Sequence, residues 1–484
     1  MPGAGLLTRL AVAAAAVLVS ACAHPGPASV TVEVPAADGD GVSGARSAGV
    51  RAPPPARRAT WARRLGGPGA QSVEALAVDR SGNVAIVGTF PDIADFGTGL
   101  HRVPGALGQG LFVALLDADG HTRWSRAVAG VAEDPRLCVA FDGEGDVIVA
   151  GGISGFTVDF GLGLVPQAAD QDVLVAKIDP SGQPLWAKRF GGGGGWQTAT
   201  GLAVDGAGNV LVAGAFAGAP IDFGLGALGS SGRLSVFVVS LDPRGAPRWN
   251  WSAGNTAMLT ALAADDEGGA VVAGHFFREL DLGSGPLKSA GDRSAFVAAL
   301  DPRGQLQWSR RLASAGADAV SALALDRRGD VAAVGETRGL LDLGARAPQV
   351  RTPGTYAAVL DPGGKRVRWA LGMLNWKVSS AVFDGARDLF VSGVTHQTVD
   401  FSGGRGGGRT LPASQVTMAA FSPHGVPLWS RNFGESPPDG GVFAAVDPRN
   451  DDLILAASVV GDVDVSTGPL PGIDRDVLLV RLSR

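Results

Sequence analysis

A chain of 484 residues exceeds the roughly 250–300 residues at which single hydrophobic cores stop growing, so it is either several domains or a repeated smaller unit. Glycine supplies 73 residues, about double its usual share of about 7%, while apolar residues make up 45% and are evenly spread; this excludes a disordered polymer and calls for many short strands and turns. The net charge is -5, only 18% of residues are charged, and no basic tract is present, which excludes nucleic acid as a partner.

The first residues read as an address. Arg9 precedes an apolar run from Leu10 to Val19, which is too short for the ~20 residues of a membrane-spanning helix. Val19-Ser20-Ala21-Cys22 follows, and it resembles the lipobox of bacterial lipoproteins. The resemblance implies a signal peptide over residues 1–21, cleavage before Cys22, acylation of the Cys22 thiol with diacylglycerol, and a membrane held as partner through that lipid. Two or three acyl chains anchor durably where one does not. Ala23, standing where an Asp resembles a retention signal, points to the outer membrane of the cell envelope. Residues 22–60, rich in Ala, Gly, Pro and Ser, read as a disordered tether. With Cys22 lipidated, Cys138 is the only thiol left. No internal disulfide can form, and its apolar strand context predicts buried packing.

From residue 61 onward the chain repeats. Trp61, Trp124, Trp186, Trp249, Trp308, Trp369 and Trp429 recur every 59 to 63 residues, and Asp79, Asp142, Asp205, Asp265, Asp326, Asp384 and Asp447 recur in step with them. Such a period is the signature of a repeat architecture. Each copy predicts four strands. An apolar first strand ends at the Asp, and after a short turn a V-x-G strand follows. A longer segment with Asp-Phe-Gly or a variant leads to a third apolar strand, and a D-P-x-G type turn delivers a fourth strand carrying the Trp. Second and third strands are almost continuously apolar, as in sheets covered on both faces. Residues 61–484 are therefore expected to form an all-β, seven-bladed β-propeller of four-stranded antiparallel blades. The chain enters on a Trp strand and ends on a third-type strand, so the N-terminal strand is expected to complete the last blade and close the ring.

The apolar strand, D-x-x-G-N turn and V-x-G strand together resemble the SBBP-type repeats of bacterial β-propeller proteins, over about residues 61–484. The resemblance implies an extracytoplasmic binding or scaffold module. Copies six and seven depart from it, because Asp384-Gly385-Ala386-Arg387-Asp388 and Asp447-Pro448-Arg449-Asn450-Asp451 lack the turn Gly.

Isolated motifs reduce to repeat positions. The D-x-x-G turns offer one fixed Asp each, too few oxygens for calcium, but Asp is suited to accepting turn N–H groups and Gly to a positive φ. Asp-Phe-Gly at 95–97, 159–161 and 222–224 has no kinase loop or strand beside it, and reads as an apolar plug with a turn. The run Gly191 to Gly195 lacks the Lys-Ser/Thr of a phosphate loop. Arg328-Gly329-Asp330 is a hairpin turn, and the six His residues show no ligand spacing. No metal, no cofactor and no catalytic set is expected, and the propeller is expected to be a monomer.

The remaining signal lies in the loops. First-to-second and third-to-fourth turns share one face and are short. The second-to-third and fourth-to-first segments share the other face, are longer, and vary most, which is where functional residues concentrate. Trp196 and Trp376 fall there, near Glu133, Asp134, Asn255, Asp318, Lys377 and Asp439. An exposed indole beside polar groups stacks on a sugar or anchors a peptide; packing under its own loop is the competing role. The expected function is a non-catalytic module that presents this long-loop face to a protein, peptide or glycan. The alternatives are a lyase or hydrolase at the channel mouth, and a purely structural envelope protein.

Overall fold

The computed structural model describes residues 57–103, 109–128, 136–154, 159–163, 171–191, 194–229, 234–254, 256–344, 350, 354–373, 376–397, 410–465, 467–472 and 474–484, all within the unit Ala48–Arg484. Cys22, Glu133, Asp134 and Asn255 lie outside the described residues, as do the signal peptide and almost all of the tether. The described residues are all-β with no helix, and hence none long and apolar enough to cross a membrane.

The strands form propeller-like antiparallel meanders, each in the order first, second, third, fourth. One sheet contains Ser72–Val78, Val84–Phe90, Gly110–Leu116 and Thr122–Val128. The next two, beginning at Leu137–Phe141 and Trp196–Val204, join into an eight-stranded sheet through the parallel bridge between Gln171 and Trp196. Further four-stranded sheets begin at Ala257–Ala264, Asp318–Leu325 and Trp376–Phe383. The last sheet consists of Val442–Val446, Leu453–Val459 and Asp476–Leu482 with Ala59–Leu65 as its fourth strand, antiparallel to Asp476–Leu482. Folded chain thus starts ahead of residue 61: Ala59 and Thr60 belong to the strand, and the Arg57 side chain is buried against Asp384. First strands pack side by side along the sequence, and Ser72–Val78 also packs against Val442–Val446.

Every residue of Val84–Phe90 and Gly110–Leu116 is buried, and the reason is the period of two. Ala85, Val87, Leu111 and Val113 face the next sheet, meeting Val149 and Leu174. Val84, Ile86, Phe112 and Ala114 face the last sheet, meeting Ile454 and Leu479. Gly88 explains the recurring V-x-G: a Cβ there would lie 1.9 Å from the Ser72 carbonyl oxygen across the ladder.

The repeated Asp caps a turn. Asp79 Oδ1 accepts N–H bonds from Ser81 at 2.8 Å and Asn83 at 2.7 Å, and the pattern recurs at Asp142, Asp205, Asp265, Asp326 and Asp384. Where the sequence drops the turn Gly, Arg387 and Asp451 themselves take φ of 68° and 60°. Arg387 then ion-pairs with Asp326 and Asp330 of the preceding turn, an interaction a Gly could not make. The Asp-Phe-Gly segment is the plug the sequence predicts: Phe96 is buried and stacks on Phe112 with centroids 3.9 Å apart, while Asp95 Oδ1 caps Gly97 and Gly99.

The repeated Trp joins one sheet to the next. Indole Nε1 of Trp61, Trp124, Trp186, Trp249 and Trp308 donates to the carbonyl of Ala118, Pro180, Pro243, Pro302 and Pro362 respectively, at 2.9 to 3.1 Å. Each acceptor lies in the third-to-fourth turn of the following repeat.

Candidate functional site

The antiparallel order places the two kinds of connection at opposite ends of the sheets. At the short-turn end, buried charged side chains are paired within the fold. Arg481 reaches Asp447 and Asp452, and Arg57 reaches Asp384 at 3.0 Å. Asp142, Glu144 and Asp146 have the spacing of a cation site, but the Lys177 ammonium already sits 2.6 Å from Asp142 and 3.0 Å from Asp146. A lysine in that place supplies the counter-charge a metal would bring.

The long-loop end differs, because of a bulge. Ladder register shifts at Glu74, Thr200, Thr260, Ser321 and Ser379, each five residues before the turn Asp. A bulge re-aims the extra residue out of the ladder. All of these polar residues line a central cavity of about 500 Å³ walled by the first strands, together with Arg136, Cys138 and Ser380. Thr260 Oγ1 is used, donating to the Val320 carbonyl at 2.5 Å. Thr200 Oγ1 is buried with no hydrogen-bond partner among the described residues, as are His275 Nδ1 and Arg293 Nε. Burial, with Arg293 and Arg136 nearby, lowers His275 to about 4, so this imidazole is neutral at pH 7. Cys138 is half-buried on the cavity wall rather than packed away as its apolar strand context predicts, and desolvation pushes its thiol up to about 12, which disfavours a nucleophile.

A run of polar contacts follows the rim at this end. Lys377 is exposed and its Nζ donates to the Pro438 carbonyl at 3.3 Å. Next to it, Asp439 pairs with Arg475 at 3.0 Å, Arg475 donates to Ser72 Oγ at 3.2 Å, and Ser72 donates to Glu74 at 2.9 Å. Although burial pushes the Asp439 carboxyl up, the hydrogen bond and charge of Arg475 prevail and hold it below the ordinary carboxylate value. Lys377 and Asp439 therefore belong to one polar arc leading to the cavity.

Other sequence candidates fall elsewhere. Trp376 is not an exposed stacking platform: it is 2% exposed, packed with Met373, Val378 and Phe421 in the core. The reason is that it opens a first strand, paired with Thr395, instead of lying in a free loop. Asp318 is fully buried and is a loop-forming carboxylate, accepting from Ser314 N and from Ser314 Oγ at 2.8 Å. Trp196 also starts a strand and is half-buried. Sequence reading missed the cavity residues themselves, although a polar residue five places before the repeated Asp was the available signal.

No family model matches the chain, and no curated protein matches it in sequence. Among solved structures, the RRP9 WD40 repeats match at 13% identity over 88% of this chain and 99% of theirs, with a TM-score of 0.47. U3-55K matches at 12% identity over 88% of this chain and 99% of its own, with a TM-score of 0.48. A catalytically inactive virginiamycin B lyase from Staphylococcus aureus matches at 8% identity over 87% and 99%, with a TM-score of 0.43.

Proposed function

We propose that this chain is a lipid-anchored, seven-bladed β-propeller of the SBBP-repeat type, held in the bacterial outer membrane through Cys22, and that it acts as a non-catalytic binding or scaffold module. What supports the closed ring is the pairing of Ala59–Leu65 with Asp476–Leu482 and the packing of Ser72–Val78 against Val442–Val446. The partner, a protein, peptide or glycan, engages the long-loop face. The observation that carries this reading is the contrast between the ends. The buried short-turn charges Arg57, Lys177 and Arg481 are paired within the fold, whereas the long-loop end offers exposed Lys377 and a cavity edged by Glu74, Arg136 and Thr200. The chain enters the folded unit at the short-turn end, where Ser483 N donates to the Arg58 carbonyl at 2.8 Å.

Two measurements test the proposal. Cys22→Ser should move the protein from the membrane to the soluble fraction; retention in the membrane would refute lipid anchoring. A pull-down from native membranes should lose its partner with Lys377→Glu combined with Arg136→Ala, and keep it with Arg80→Ala on the short-turn side. Equal recovery with both would remove the long-loop face from consideration.

A further inference from the structure

A second cavity, of about 520 Å³, opens on the outer rim between the first sheet and the turns of the next repeat, lined by His101, Ser125, Asp159 and Gln183 among others. It shares no lining residue with the central cavity. Within it, His101 Nε2 and Ser125 Oγ stand 2.6 Å apart, and Thr98 Oγ1 is hydrogen-bonded to the same Ser125 hydroxyl. The imidazole is held by Phe96, stacked with centroids 6.1 Å apart. Both His101 and Ser125 are half-buried.

The repeats show that the histidine is an exception. His101 sits in the hairpin of Ile93–Asp95 and Leu100–Arg102, opposite Ala94. The matching places in the other described hairpins are Leu228, opposite Ile221, Leu287, opposite Leu280, and Leu470, opposite Val463. The hydroxyl pair, by contrast, recurs: Ser284 and Ser309 occupy the places of Thr98 and Ser125, 3.0 Å apart, with Leu287 where the imidazole would be. Among the described hairpins, this one alone sets a base against the serine.

From this geometry we infer that Ser125 and His101 form a nucleophile–base pair that takes small carboxylic esters in the rim cavity. In the tautomer protonated at Nδ1, Nε2 accepts the Ser125 proton while Thr98 donates to the Ser125 oxygen. Ser125 Oγ attacks the ester carbonyl and its proton passes to Nε2. The alcohol leaves with that proton as the carbonyl C–O bond breaks, and water, deprotonated by His101, cleaves the acyl-serine to free acid. The developing oxyanion is met by the outer edge of Thr122–Val128, a strand paired on one side only, whose outward N–H groups have no ladder partner. Burial holds His101 below its ordinary value against the pull of Asp95, which keeps it in the neutral, proton-accepting form at pH 7. This activity uses neither Lys377 nor the residues of the central cavity.

The test is fluorophosphonate labelling of the detergent-extracted full chain at pH 7.5, read by peptide mass spectrometry. Ser125 should be labelled, with fluoride leaving, and Ser309 in the same molecules should not. His101→Leu and Ser125→Ala each install a residue that other repeats carry at that place (Leu287, Ala187), so both should melt as the parent does. His101→Leu should slow labelling about 100-fold or more, the contribution of a positioned base. No label on Ser125, equal labelling of Ser309, or an unchanged rate in His101→Leu overturns the inference. If a variant fails to fold, the comparison of Ser125 with Ser309 in the parent protein still decides.

Discussion

The indole nitrogen of Trp308 donates to the Pro362 carbonyl at 3.0 Å, across the boundary between two sheets, and the ring lies under Gly364, whose Cβ would approach it to 2.4 Å. The hydrogen bond and the ring contact are separable. Trp308→Phe removes the first and keeps much of the second, and should cost about 1 kcal/mol, the net worth of one such bond. Gly364→Ala should cost more, because it adds the clash to a φ of 66° that disfavours a side chain. Denaturant midpoints of the two variants should rank in that order.

Trp376 separates packing from recognition. Because its side chain is in the core, Trp376→Ala should lose about 3–5 kcal/mol through the cavity it leaves. Lys377→Ala, one residue on and exposed, should stay within about 0.5 kcal/mol. A Trp376→Ala protein that melts with the parent would return the indole to the surface.

These residues also mark what the sequence can and cannot disclose. The Trp and Asp periods are legible because each serves one local geometry, an inter-sheet bond and a turn cap, that every repeat must satisfy. The cavity is not, since Glu74 and Thr200 sit in runs that read as plain apolar strands, and only a bulge turns them inward. Trp376 looks like a loop aromatic until its register with Thr395 is known. His101 and Ser125 meet only because a hairpin folds over the fourth strand of the same sheet, a pairing that no spacing announces.

Asp447 should dominate acid sensitivity at the short-turn end. Burial pushes its carboxyl up, but hydrogen bonds from Arg449 and Arg481 outweigh this and hold it below the ordinary value; Asn450 and Asp452 complete the cluster. A depressed folded pKa contributes stability that is whole above the unfolded value of about 3.9 and is lost as pH falls through the folded one. Urea midpoints should therefore hold steady down to about pH 4 and then drop. Asp447→Asn should be less stable at pH 7 and show a shallower acid slope; parallel curves would exclude Asp447 as the source.

Cys138 should be chemically silent while the fold is intact. With its thiol raised to about 12, the reactive thiolate is a minute fraction at pH 7.5. In a Cys22→Ser background, a thiol reagent should react slowly with the native protein and at the rate of a free cysteine in denaturant. Fast native reaction would mean that the thiol on the cavity wall is not raised.

The seam between the chain ends should be the weakest boundary of the fold. Every other described third-to-fourth strand pair is joined by a capped turn, whereas no turn joins Ala59–Leu65 to Asp476–Leu482. Arg64 Nε donates to Asp476 Oδ2 at 2.6 Å, with both side chains largely buried, and removing one partner of a buried pair costs about 3–5 kcal/mol. Arg64→Ala should lower the melting temperature by more than Arg63→Ala, whose guanidinium donates to carbonyl oxygens and lies over the Trp61 ring without a carboxylate partner among the described residues. Deleting residues 57–65 should go further, baring the edge of Asp476–Leu482 and producing aggregates on size exclusion. A synthetic peptide spanning residues 57–66, added during refolding, should restore the monodisperse protein; failure of both the deletion to aggregate and the peptide to bind would show that the last sheet holds without its fourth strand.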